Sequence, residues 1–178
     1  MDTVSALYYI FTFSGLLCFA IYLFTSGVAA YGALIAAYST LFIGMIMLLM
    51  NIFYVIVNNR NNGTNNYMTM FLNIFGVGLF MLMMFGSIGL NIYLLVVFKD
   101  RIISEKVTSG YWVMTIVSII LMLIQSVIIF MTLYKNSFSS LAISSLCLFG
   151  LLNVITSIIN LNILSYFYAD GFCSLNHT

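Results

Sequence analysis

Three sets of amides and hydroxyls recur inside apolar stretches of this chain, and they are the residues best placed to do chemistry at depth. Asn73 and Asn91 stand eighteen residues apart, five helical turns, and so share a helix face. Ser118, Gln125 and Thr132 recur every seven residues, and Asn153 and Asn160 are also seven apart with Thr156 between them. An amide is poorly placed against hydrocarbon, so such stripes turn into a bundle or toward a partner. Two chemistries fit them. One is interhelical hydrogen bonding that fixes register; the other is the lining of a narrow, uncharged polar pathway. Register is the reading adopted here for Asn73, Asn91, Ser118, Gln125, Asn153, Thr156 and Asn160.

The remaining reactive residues point away from catalysis. Asp100 and Glu105 lie beside Lys99, Arg101 and Lys106, a pattern expected of a solvated, self-neutralising loop. His177 is the sole histidine, so a His-ligated metal or haem inside a bundle is not expected. The sequence contains no Ser-His-Asp set, no HExxH, no Gly-rich phosphate loop and no paired intramembrane carboxylates. Cys18 and Cys147 fall in apolar runs and read as small buried hydrophobes, and Cys173 lies just past the last run. No catalytic, cofactor-binding or metal residues are therefore assigned, no cofactor is expected, and the chain is not expected to be an enzyme. Pumps and transporters generally keep an ionisable group at depth and often break helices with Pro; the long runs hold no charge and the chain has 0 Pro. A net charge of +1 gives no basic face for nucleic acid, and no soluble substrate is evident.

Small residues form a second pattern. Gly32, Ala36, Thr40 and Gly44 repeat at four-residue spacing, with Ala29, Ala33 and Ala37 on the adjoining row. Such spacing lets two helix backbones approach closely, so a packing seam is expected. Gly78, Gly86 and Gly89 are a looser version.

The elements that must carry these residues are long apolar helices. The chain of 178 residues is 63% hydrophobic and only 5% charged, and its mean hydropathy is +1.16. Runs beyond about 18 apolar residues mark membrane spans, and Leu41–Leu49 is apolar at odd and even positions alike, unlike a barrel strand. The expected fold is all-α: a polytopic transmembrane helical bundle forming a single domain over 1–178, with short loops and no soluble domain. Five spans are expected, at 4–24, 28–57, 67–98, 110–134 and 139–168, or four if the first two runs fold as a re-entrant hairpin. Thr25-Ser26-Gly27 offers turn chemistry between the first two. The polar stretch Asn58–Asn66 and the charged stretch Lys99–Ser109 read as loops, and Lys135-Asn136-Ser137 as a tight turn. Tyr67, Tyr111, Trp112, Tyr134 and Tyr166–Tyr168 mark span ends, where amphipathic rings favour the interface.

The N-terminus lacks a basic region and a small-residue cleavage signal, so the first run is expected to be a retained helix. With five spans, Lys99, Arg101 and Lys106 share a side with the C-terminus, against Arg60 and Lys135 opposite. That balance favours a cytoplasmic C-terminus and places the sequon Asn62-Gly63-Thr64 outside, with Asn176-His177-Thr178 on the other side.

Packing seams without a reactive site lead to the functional expectation. It is a non-catalytic structural or assembly subunit embedded in a larger multi-protein membrane complex, whose partners are membrane lipids and other integral membrane subunits. A bias to Phe, Tyr, Met, Ile and Asn without Pro is expected of an AT-rich genome, which favours an organellar respiratory-type complex in the mitochondrial inner membrane or the internal membrane layer of a large DNA virus. The alternative is a homo-oligomeric pore or ion-channel subunit, viroporin- or holin-like, lined by the uncharged polar stripes.

Overall fold

The computed structural model describes the backbone of residues 3–61, 67–103, 109–135 and 139–176, and side chains in these stretches except 56–61, 67–70, 101, 109 and 166–176. Among the described residues the chain is helical throughout, without strands. Its elements are α1 (Thr3–Phe24), α2 (Gly27–Asn61), α3 (Tyr67–Val97), α4 (Lys99–Ile103), α5 (Ser109–Lys135) and α6 (Ser140–Asn176). All but α4 are long and apolar enough to cross a membrane. Lipid offers backbone amides no partner, so only a structure that satisfies them within each segment is stable there, and unbroken helices meet that condition. The chain is thus an integral, multi-pass membrane protein, with five helices among the described residues long and apolar enough to span.

The ends of these helices have local causes. The α1–α2 turn uses Gly27 at φ 67°, a left-handed conformation that strains residues bearing a Cβ. Before it, the Thr25 hydroxyl donates to Ile21 O at 2.7 Å and the Thr25 N–H to Tyr22 O at 3.3 Å, which satisfies carbonyls at the α1 terminus. At the start of α6, Ser139 Oγ accepts from the Ala142 N–H at 3.2 Å as an N-cap.

Three boundaries differ from the sequence expectation, the first being α2, whose helix continues to Asn61 through part of the Asn58–Asn66 stretch read as a loop. The charged stretch after α3 begins as helix: Phe98 N–H bonds Leu94 O and Ile102 N–H bonds Phe98 O, so α4 prolongs α3 after a single turn residue. The last helix runs to Asn176 rather than ending near Tyr168, because Ala169-Asp170-Gly171 contains no Pro to stop it. The expected sequon at Asn62 and the Lys135–Ser137 turn fall largely on 62–66 and 136–138, outside the described residues.

The five long helices form a ring in which α1 packs on α2, α2 on α3, α3 on α6, α6 on α5, and α5 returns to α1 along a sparse seam. The spans α3 and α5 are therefore not packed side by side along a seam: α6 lies between them in the ring, and they meet only through inward side chains such as Met84 and Gln125. The α3–α6 pair is parallel: Gly76 meets Ile143 and Cys147 near one end, and Asn91 meets Asn160 near the other. Close approach depends on three glycines outside the expected rows. A Cβ on Gly15 would lie 2.8 Å from Leu41 Cγ, one on Gly76 2.4 Å from Ile143 Cγ2, and one on Gly150 3.2 Å from Met83 Cε.

Polarity is arranged for a lipid exterior. Asn51, Asn91, Gln125, Asn153 and Asn160 are all buried, whereas Phe13, Leu17, Phe53, Phe75, Leu82 and Val127 stand exposed. In water that arrangement would be strongly unfavourable, whereas in hydrocarbon the inward amides are the favourable choice.

Candidate functional site

The densest polar chemistry lies where α3, α5 and α6 meet. Each amide is placed by helical register: Ser87 and Asn91 are one turn apart on α3, as are Asn153 and Ser157 on α6, and the parallel pairing sets the two rows against each other. Ser87 Oγ and Ser157 Oγ share a hydrogen bond of 2.6 Å. The Asn91 amide donates to Ser157 Oγ at 2.8 Å and to Ser87 O at 2.9 Å, and Asn160 Nδ2 reaches Asn91 Oδ1 at 3.5 Å. From Asn153 the network crosses to α5: its Nδ2 donates to Gln125 Oε1 at 3.0 Å and to its own helix at Phe149 O, 3.1 Å. Gln125 Nε2 in turn points at Met84 Sδ on α3, 3.5 Å away, a weak acceptor. Asn160 Oδ1 is buried without a hydrogen-bond partner.

Other seams of the ring carry clasps of their own. Asn51 Nδ2 on α2 donates to Ser5 Oγ on α1. Tyr31 on α2 donates to Leu95 O on α3 at 3.1 Å, with Lys99 Nζ 5.7 Å from the Tyr31 ring centroid in cation–π geometry. Cys147 Sγ donates to Gly76 O at 3.3 Å between α6 and α3. Trp112 Nε1 on α5 donates to Leu23 O on α1 at 3.3 Å. The α1–α5 seam also carries aromatic contacts, with Tyr9 edge-on to Phe130 at 5.9 Å and Tyr22 edge-on to Tyr111 at 6.2 Å.

Among the expected register residues, Asn91, Gln125, Asn153 and Asn160 come together in this network. Ser118 and Thr156 are buried on α5 and α6, and the Thr156 hydroxyl turns back to Leu152 O at 2.8 Å. Asn73 is half-buried near the start of α3, several turns from the network. The glycine rows are placed differently from the seam the spacing suggests. Gly44 packs against α1, its added Cβ 3.3 Å from Phe11 Cβ, but Gly32 and Ala36 are exposed and Thr40 bonds back to Ala36 O. Gly78, Gly86 and Gly89 are exposed too, with nothing within 4 Å of an added Cβ. Sequence reasoning passed over Ser87, Ser157, Ser5 and Asn51. Ser87 and Ser157 carry a legible signal, since each stands four residues from a flagged asparagine.

All members of the α3–α5–α6 network are neutral amides, hydroxyls and a thioether, so the network has no group that titrates near neutral pH. What it can do is hold three helices at one register and one rotation. Among the described residues, no three His, Cys, Asp or Glu side chains come together. Fold and network together define a self-fastened, multi-pass membrane bundle with a polar network inside an apolar core. The chain matches no protein-family model, no curated protein and no solved structure.

Proposed function

We propose that this chain is a non-catalytic structural subunit that docks laterally into a larger multi-protein membrane complex. The observation that carries the reading is where its polar groups go. Amides and hydroxyls within the spans bond across helix seams or back to their own helix, so their chemistry serves architecture. A second feature supports lateral docking. Gly32 on α2 and Gly78, Gly86 and Gly89 on α3 open shallow grooves on the outer surface, a shape that a neighbouring helix can approach closely. The AT-type composition favours an organellar respiratory-type complex or the internal membrane of a large DNA virus as its setting.

Gentle detergent extraction from the native source, followed by a native gel and mass spectrometry of the co-migrating chains, tests this. Co-migration at high mass with several different integral membrane proteins is the expected result. Migration as a homo-oligomer alone would overturn it and favour the pore reading, in which conductance in planar bilayers should follow.

A further inference from the structure

The α1–α5 seam, the sparsest in the ring, encloses the feature that reaches beyond architecture. A cavity of about 20 Å³ lies in the bundle interior between α1, α2, α3 and α5. In the same measure, about 10–15 Å³ is enough for one water molecule, provided two to four polar partners surround it. Four polar side chains line this cavity, and all come from the two helices that flank the sparse seam: Tyr8 and Thr12 from α1, Gln125 and Ser126 from α5. They are buried at 3%, 4%, 3% and 8% exposure.

Their bonding leaves capacity directed at a guest. The Ser126 hydroxyl proton goes to Met122 O at 2.8 Å, so the Ser126 oxygen serves as an acceptor, with a second lone pair beyond the one the Tyr8 hydroxyl can use. Tyr8 lies within hydrogen-bonding reach of both Ser126 and Thr12, so the three oxygens cluster across the seam. Gln125 uses one amide proton toward Met84 Sδ and one carbonyl lone pair toward Asn153, and retains a further donor and acceptor. An independent observation concerns the same seam. The hydroxyl of Tyr9, whose ring packs on Phe130 of α5, is buried without any protein partner. One hydroxyl of this seam is thus left without a protein partner, beside a cavity whose polar lining keeps spare bonding capacity.

We propose that the cavity is a hydration site holding one water molecule, which bridges α1 and α5 through Tyr8, Thr12, Gln125 and Ser126 and closes the helix ring. A neutral guest that both donates and accepts fits this lining. A cation does not: no carboxylate lines the cavity, and much of the wall is Leu41, Phe80, Ile88 and Ile129. The consequence is specific to the fold. Direct packing joins α1 to α2 firmly and α5 to α6 firmly, while the two groups meet at α1–α5 partly through solvent.

Methionines supply an internal probe. Met45, Met84 and Met122 line the cavity, whereas Met81 does not, yet all four are buried to a similar degree, at 6%, 4%, 6% and 4% exposure. X-ray hydroxyl-radical footprinting of the intact chain in nanodiscs creates radicals where water is, and thioethers are sensitive reporters of them. Met45, Met84 and Met122 should oxidise severalfold faster than Met81. In a Thr12→Val/Ser126→Val variant, which removes two hydroxyls and fills space, their rates should fall to that of Met81 while helical circular dichroism is unchanged. If the double variant does not fold, the comparison within the unmodified chain decides alone. Equal oxidation of all four methionines in the unmodified chain would overturn the proposal, as would a folded double variant that keeps the fast rates.

Discussion

Replacing Asn153 by Leu removes the one side chain that ties α6 directly to the Gln125 amide of α5, and the geometry around it predicts an asymmetric cost. Asn153 and Leu have similar shape, so packing changes little. Gln125 Oε1, however, loses its donor at 3.0 Å inside a residue only 3% exposed. A buried acceptor left without a partner costs about 1–3 kcal/mol, so N153L should destabilise by that amount. The reverse change, Gln125→Met, preserves length and leaves one Asn153 N–H bonded to Phe149 O at 3.1 Å and the other facing Met84 Sδ at 3.6 Å. Its cost should be close to that of one interhelical bond, about 0.6 kcal/mol. In the double variant no acceptor is stranded, so the two effects should fail to add, with a coupling of about 0.6–1.7 kcal/mol. Reversible unfolding in mixed lipid–detergent micelles titrated with SDS measures all three. Additive single costs, or a Q125M cost at least as large as that of N153L, would refute the assignment of this bond as the α5–α6 clasp. The same variants bear on function. In a pore lined by these groups they would abolish conductance in a folded protein, whereas in a scaffold they weaken the fold or the assembly.

Two further substitutions probe glycines with opposite placements. Gly76→Ala puts a Cβ 2.4 Å from Ile143 Cγ2 at the α3–α6 crossing, and overpacking of this kind costs about 1–3 kcal/mol. Ile143→Ala in the same chain should recover part of the loss in the micelle titration, and a lack of any recovery would show that the contact is not the cause. Gly86→Leu, on the exposed side of α3 with nothing within 4 Å, should leave the unfolding curve of the isolated chain within about 0.5 kcal/mol. On a native gel it should displace the chain from its high-mass assembly; retention in that assembly would remove this face of α3 from the proposed docking surface.

The five spans were legible because lipid makes length and polarity decisive: an apolar run of twenty or more residues has few alternatives to a helix. Helix ends were less legible, because beyond the hydrocarbon layer water satisfies backbone groups and caps decide where a helix stops. Hydropathy ends the last span near Tyr168, yet the backbone of α6 continues to Asn176, and α4 extends α3 through charged residues. The inward amides were legible from their seven-residue spacing, a property of one helix. Ser87 and Ser157 were legible only as positions one turn from Asn91 and Asn153, since hydroxyls bond their own helix so readily that position alone does not distinguish a clasp from a self-satisfied side chain. The glycines illustrate the same limit. Four-residue spacing in Gly32–Gly44 defines a smooth face but not what covers it: of its two glycines only Gly44 meets another helix, and the other tight crossings fell on Gly15, Gly76 and Gly150, none of them singled out as a packing residue by its spacing. Close approach is a property of two helices, and one strand of text records only one of them at a time.

The fastening of the ring is uneven, and the unevenness assigns the helices different roles. Where α1 meets α2, Gly15 and Gly44 allow near contact of backbones, and the polar contribution is the Asn51–Ser5 bond. Where α3 meets α6, tight glycines and a ladder of four polar side chains act together, so this parallel pair is the most firmly registered part of the bundle. Helix α5 has neither advantage. It packs directly on α6 with one amide pair as the polar tie, and it meets α1 only through Trp112, aromatic edges and the polar cavity at Tyr8 and Ser126. Free energies of local opening follow the density of such contacts, so α5 is the helix whose displacement costs least. A motion that separated α5 from α1 would expose Tyr8, Thr12, Gln125 and Ser126 together, the group of buried polar side chains that a water molecule can already reach.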